Sequence, residues 1–170
     1  MNPQHTVPTM VDDGFILWES RAIMKYLLDQ YGKDDLYFPK DPKQAAVVNQ
    51  RLYFDATTLA PRLVDYYFPV VLLGQTPDIE KKLKYEEALE WLDGFLKKSM
   101  WVAGQQMTIA DFSIIANVST AEALGIDISD NRNVWAWYER TKQALAEYGY
   151  EEINQEGADM LGKLFRSKLH

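Results

Sequence analysis

The stretch MTIADFSIIANVSTAEAL, residues 107–124, constrains this chain more than any other. Its spacing predicts a helix, and that helix is apolar nearly all round. Such a helix belongs in the centre of a bundle, with other helices packed around it. The sequence supplies them. TPDIEKKLKYEEALEWLDGFLKK places Tyr85, Ala88, Leu89, Leu92, Phe95 and Leu96 on one stripe, and NVWAWYERTKQALA does the same with Val134, Trp137, Tyr138, Thr141 and Leu145. The C-terminal EEINQEGADMLGKLFRSKLH carries a weaker amphipathic pattern. Thr108-x-x-Asp111 opens the central helix as a capping box in which Asp replaces the usual Glu or Gln.

A further long helix is predicted from Asp41 as N-cap and Pro42 at the first helical position. It runs through QAAVVNQRLYFDATTLA and on through PRLVDYYFPVVLL, with Pro61 and Pro69 expected to kink or break it. The front of the chain is different. TVPTMV and FILW flank DDG, which predicts a β-hairpin with Gly14 supplying a positive φ. Ser20 is the expected N-cap of a helix with apolar positions at Ile23, Tyr26, Leu27 and Tyr31, closed by Gly32. KDDLYFPKDPKQ, charged and with two prolines, reads as a linker. The expected organisation is a hairpin-plus-helix piece at residues 1–33, a linker at 34–41 and an all-helical domain at 42–170, a mostly α chain. A lone hairpin with one helix is marginal in water. It should therefore expose an edge and an apolar face.

Composition removes several functions. A formal charge of -7 argues against nucleic acid and against anionic membrane surfaces. The absence of cysteine removes disulfides, thiolate nucleophiles and cysteine-ligated metals, and two histidines, His5 and His170, cannot build a histidine-rich metal site. No apolar run is long enough to span a bilayer, so a cytoplasmic protein is the expectation.

Four features invite chemistry, each with a plainer alternative. Val7-Pro8 lies in a predicted strand, where proline marks an edge, or a cis peptide that offers the Val7 backbone to an extended ligand. Glu19-Ser20-Arg21 sits at a helix N-terminus, which suits a carboxylate; a simple cap with solvated charges fits as well. Asp55 falls on the apolar stripe Val48, Leu52, Leu59, so it needs a partner such as Arg21, or a wet domain interface. Tyr66, Tyr67 and Phe68, with Leu72 following, are core residues or the wall of an apolar ligand pocket.

NPQHTVPTMVDDGFILWESRAI closely resembles the glutathione-binding segment of cytosolic glutathione transferases of the insect delta class. The resemblance continues through YLLDQYGKDDLYFPKDPKQAAVVNQRLYFD, TIADFSIIANVST and DISDNRNVWAWYER, and covers nearly the whole chain. It implies a thioredoxin-like α/β piece at the N-terminus, an all-α C-terminal domain and a homodimer in the full-length form. It further implies that glutathione is a co-substrate, with no cofactor, and that hydrophobic electrophiles are conjugated to its thiol in detoxification. By the same resemblance His5 contacts the glycyl end of glutathione, and Val7 pairs its backbone with the cysteinyl residue beside a cis Pro8. Glu19 and Ser20 hold the γ-glutamyl ammonium and carboxylate with Arg21 beside them, and Asp55 supports Arg21. Tyr66, Phe68 and Leu72 border the co-substrate pocket, while Thr108 and Asp111 have a structural role.

Family members carry a catalytic serine near the end of a first strand, within a βαβ unit ahead of this segment. The chain is accordingly expected to be N-terminally truncated, with Met1 an internal methionine and no catalytic residue of its own. Weak or absent catalysis is then expected, and a non-catalytic module that binds hydrophobic ligands or proteins is the alternative.

Overall fold

The computed structural model describes residues 2–169; Met1 and His170 lie outside the described residues. Strands β1 (Thr9–Asp12) and β2 (Phe15–Trp18) form an antiparallel hairpin in the register Thr9↔Trp18 to Asp12↔Phe15. The two-residue turn between them puts Asp13 at φ 44 and Gly14 at φ 85. Two consecutive positive φ values match the right-handed twist of the strands. β1 starts only at Thr9, so Val7 and Pro8 precede the strand instead of lying within it. Proline has no N–H to give to the ladder.

Helix α1 (Ser20–Tyr31) follows directly. Ser20 is not its N-cap: Glu19 holds that position, and Ser20 is the first helical residue. Gly32 does close the helix, but in an extended conformation, φ -66 and ψ 141. Glycine is needed there because a Cβ would collide with the Leu28 carbonyl. Only Ile23 of the expected apolar stripe is buried. Tyr26 and Tyr31 instead turn to the hairpin, where their hydroxyls donate to Asp12 Oδ2 at 2.7 and 2.5 Å. The hairpin keeps an exposed apolar face in the cross-strand pair Val11 and Ile16, 54% and 36% accessible.

Helix α2 (Pro42–Phe54) is capped as expected, Asp41 Oδ1 accepting from the Gln44 amide at 2.9 Å. A π-turn at Asp55–Leu59 joins it without interruption to α3 (Ala60–Leu73). Neither proline ends the helix. Pro61 directly follows the π-turn, which accommodates the missing N–H, and the Ala60 amide reaches back five residues to the Asp55 carbonyl. Helices α4 (Ile79–Leu96), α5 (Ile109–Ala123), α6 (Arg132–Leu145) and α7 (Glu156–Arg166) complete the bundle. α5 runs through its middle, with Ile109, Ala110, Ile114, Val118 and Ala121 buried, and the stripes of α4 and α6 close on the same core.

The capping box of α5 is present. The Thr108 hydroxyl accepts from the Ala110 amide at 3.3 Å and Asp111 Oδ2 accepts from the Thr108 amide at 2.8 Å. Asp111 does more, because its other oxygen accepts from the Val102 amide at 2.9 Å and from Trp137 Nε1 at 2.8 Å. Burial pushes its carboxyl up from the ordinary range, and these donors oppose the shift.

Two consequences are measurable. Donation from Tyr31, then Tyr26, holds the Asp12 carboxyl below its ordinary 3.8, and the same bond pushes the Tyr26 hydroxyl up to about 12. A depressed folded pKa stabilises above the unfolded value and is lost as pH falls through the folded one. The Asp12 carboxyl resonance should therefore titrate below 3.8, and Tyr31→Phe should move its midpoint upward; no movement would mean that the hydroxyl does not donate. Second, α7 crosses α5 so closely at Gly162 that a Cβ would run into the Ala123 carbonyl. Gly162→Ala should cost roughly 1–3 kcal/mol in urea unfolding despite alanine's better helix propensity, and an unchanged midpoint would contradict the close crossing.

Candidate functional site

Thr9 pairs with Trp18, so residues 5–8 and 19–20 leave the hairpin at the same end, opposite the turn. The register thus brings both groups of expected site residues together. The Val7–Pro8 bond is cis, and Val7 is 93% accessible. His5 is exposed at φ 54, its amide donating to the Asn2 carbonyl at 3.2 Å. Asn2 organises this loop. Its Nδ2 donates to the Thr6 carbonyl at 3.0 Å and to Thr9 Oγ1 at 3.1 Å, and its Oδ1 accepts from the Gln4 amide at 2.8 Å.

At the other side of the opening, Glu19 has φ 72 and ψ 105. A non-glycine residue rarely takes such a backbone, and residues held this way cluster at functional sites. The amides of the first helical turn have no intrahelical acceptor, and among the described residues no side chain caps them. The N-terminus of α1 therefore offers N–H donors and a positive dipole end to an anion, with the Glu19 carboxylate beside it for a cation. A group carrying both charges, such as an α-amino carboxylate, matches that pairing. A cavity of about 330 Å³ adjoins Glu19 and Arg21, bounded on the far side by Asn49, Leu52 and Tyr53 of α2.

Arg21 is fixed by a buried network. Its Nε and Nη2 donate to Asp55 Oδ2 at 3.0 and 2.5 Å, and its Nη1 donates to Ser20 Oγ at 3.3 Å. Asp55 has no accessible surface. Its remaining valences are met from α5: Ser113 Oγ donates to Oδ2 at 2.5 Å and Asn117 Nδ2 to Oδ1 at 2.7 Å. The carboxylate sits in the π-turn, a distortion found often at functional positions.

Against known proteins, the glutathione S-transferase N-terminal domain family matches residues 1–35 and the glutathione S-transferase C-terminal domain family matches residues 63–143. Glutathione S-transferase D7 of Anopheles gambiae is 48% identical over 169 residues, covering 99% of this chain and 78% of that protein. The chain belongs to the glutathione transferase family. A delta-class glutathione transferase structure from Nilaparvata lugens superposes with a TM-score of 0.93 at 52% identity, over 98% of this chain and 78% of that one. An epsilon-class glutathione S-transferase structure from the housefly, Musca domestica, gives 0.91 at 40% identity, over 98% and 77%. The higher identities lie with the delta class, as the motifs of the sequence imply.

In this transferase the three aromatic and aliphatic positions assigned to the co-substrate pocket do not converge. Tyr66 shares a face of α3 with Leu63 and Val70, is buried, and packs its ring 5.5 Å from that of Phe165. It is a core residue, which corrects its assignment to a pocket. Phe68 and Leu72, one turn apart on another face, are 45% and 63% accessible. Two residues along a helix are 200° apart, so Tyr66 and Phe68 cannot line one wall. Burial raises the hydroxyls of both Tyr66 and Tyr67, which makes neither a readily ionised group.

Sequence reasoning also missed Asn2, Ser113 and Asn117. Ser113 and Asn117 were detectable in principle, being polar residues four apart on an otherwise apolar helix. Such a pair needs a buried polar partner. Arg21→Ala strands the Asp55 carboxylate with neutral donors alone. It should cost about 3–5 kcal/mol of stability, read by urea unfolding, and Arg21→Lys should restore only part because an ammonium lacks the planar fork. A loss below 1 kcal/mol would mean that the pair behaves as an exposed ion pair.

Proposed function

We propose that the open end of the hairpin and the N-terminus of α1 hold glutathione, and that the protein conjugates its thiol to hydrophobic electrophiles in detoxification. The observation that carries this reading is the uncapped first turn of α1 beside the strained Glu19, with Arg21 locked onto Asp55. The γ-glutamyl end of glutathione carries the same ammonium and carboxylate pair that these residues match. Ser20 and the free amides take the carboxylate, Glu19 takes the ammonium, and Arg21 is held in place beside them. Val7 stands exposed ahead of β1, where its backbone can pair with the cysteinyl residue beside Pro8, and His5 meets the glycyl end. Phe68 and Leu72 present the apolar surface for the electrophile.

A free thiol has a pKa of about 8.5, so only a small fraction is thiolate at neutral pH. The residues assigned here position the peptide and reduce the entropy of encounter. None of the described residues is assigned to ionise the thiol, and no cofactor is invoked beyond glutathione as co-substrate. Among the described residues no helix is long and apolar enough to cross a membrane, and the net charge of -7 disfavours nucleic acid. The proposal includes a cytoplasmic location and a homodimer.

Calorimetric titration with reduced glutathione should show saturable binding. Glu19→Gln and Ser20→Ala should each weaken it by about tenfold or more, as expected for losing a charge-assisted hydrogen bond. Conjugation of chlorodinitrobenzene by the same preparation reads turnover separately. Wild-type protein that binds no glutathione, or variants that bind as tightly as wild type, would remove this assignment.

A further inference from the structure

Asn2 lies ahead of the hairpin, and both ends of its side-chain amide bond forward along the chain. Its Oδ1 accepts from the Gln4 amide at 2.8 Å. Its Nδ2 donates to the Thr6 carbonyl and to Thr6 Oγ1, each at 3.0 Å, and to Thr9 Oγ1 at 3.1 Å. A backbone amide can only donate, so the oxygen must face Gln4 and the nitrogen the three oxygens. The contact to Gln4 is local. With Pro3 next in the chain and the His5 amide donating to the Asn2 carbonyl at 3.2 Å, it makes Asn2 to His5 a tight turn. The contact to Thr9 is not local. Thr9 opens β1 and pairs with Trp18, the residue before Glu19.

A continuous path therefore runs from Glu19 through the Trp18–Thr9 pair to the Asn2 amide, and across the turn to His5. The loop has no other means of holding its shape. Residues 3–8 are all exposed, so burial does not fix them. His5 has φ 54, a backbone that non-glycine residues rarely hold without support from around them. Among the described residues, the side chains that bond this loop are Asn2 and Thr9, whose Oγ1 donates to the Thr6 carbonyl at 3.0 Å. Of the two, Asn2 alone reaches past Thr6 to the turn that carries His5.

Resting on the assignment of glutathione to this end of the hairpin, we propose that Asn2 is a positioning residue that sets how far along an extended peptide the grip reaches. Tied to Thr9, it places His5 where the glycyl end arrives, and it acts through His5 instead of touching the ligand. The γ-glutamyl end is held at α1 and does not depend on it. The class of ligand selected is a γ-glutamyl tripeptide with a terminal carboxylate, over a dipeptide that stops at cysteine. Without the Asn2 amide the turn is free to move relative to Thr9. Ordering it then becomes a cost of binding that falls only on a ligand long enough to reach it.

γ-Glutamylcysteine, which lacks the glycyl residue, serves as the second ligand. In calorimetric titration of the full chain, glutathione should bind about tenfold more tightly than this dipeptide, the scale of one charge-assisted hydrogen bond. His5→Ala should close that gap. Asn2→Ala should remove most of it, by weakening glutathione while dipeptide affinity stays close to wild type. Thr9→Val should do the same in part, and the double variant should lose little more than Asn2→Ala, because both break one link. Residues 3–8 are exposed, so urea midpoints should match wild type; if Asn2→Ala does not fold, Thr9→Val carries the test. Glu19→Gln should weaken both ligands equally and leave the gap open. A gap that Asn2→Ala leaves at its wild-type size, including equal weakening of both ligands, would overturn the proposal. So would equal wild-type affinity for the two ligands, with the γ-glutamyl assignment at α1 left standing. Wild-type protein that binds neither ligand would remove the glutathione reading and this proposal with it.

Discussion

The Asp55 carboxylate has no contact with water, and a charge in that position persists only if protein donors replace the lost hydration. Those donors come from two parts of the chain. Arg21 arrives from α1, and Ser113 and Asn117 arrive from the central helix α5. One carboxylate therefore fixes the hairpin-and-helix piece against the bundle. The orientation of α1, and with it the direction of its free amides, follows from a network that lies mostly behind the site.

A second buried carboxylate, Asp111, serves the bundle itself. It ties the start of α5 to the Val102 loop and to Trp137 on α6. The two differ in consequence. Asp111 joins elements of one core. Asp55 joins a core to a helix beside a two-stranded sheet, a piece in which Ile23 is the buried apolar residue among those described. The ion pair is asymmetric as well, because Arg21 stays partly exposed while Asp55 does not.

Much of the bundle is legible in the sequence. The stripes of α4 and α6, the all-round apolar character of α5 and its Thr108–Asp111 box all depend on helical periodicity, a local property. The Asp55 anomaly is legible too, since a charge on an apolar stripe must be answered. The errors share a cause: they concern which way an element faces and where it starts. Ser20 reads as a cap until Glu19 is seen to leave the strand with a positive φ. Tyr66 reads as a pocket residue until the bundle fixes which face of α3 is internal. The π-turn at Asp55–Leu59 absorbs Pro61, and no sequence period announces such a turn.

The link from Arg21 through Asp55 to α5 has a further consequence. Whatever restrains the first turn of α1 also restrains the side chains that hold the middle of the bundle together. Binding energy gained at the surface therefore appears as added resistance of the core to opening, and by reciprocity a loosened core weakens the surface grip. Substitutions deep in α5 at Ser113 or Asn117, which hold Asp55, should by the same linkage change any affinity at the first turn of α1.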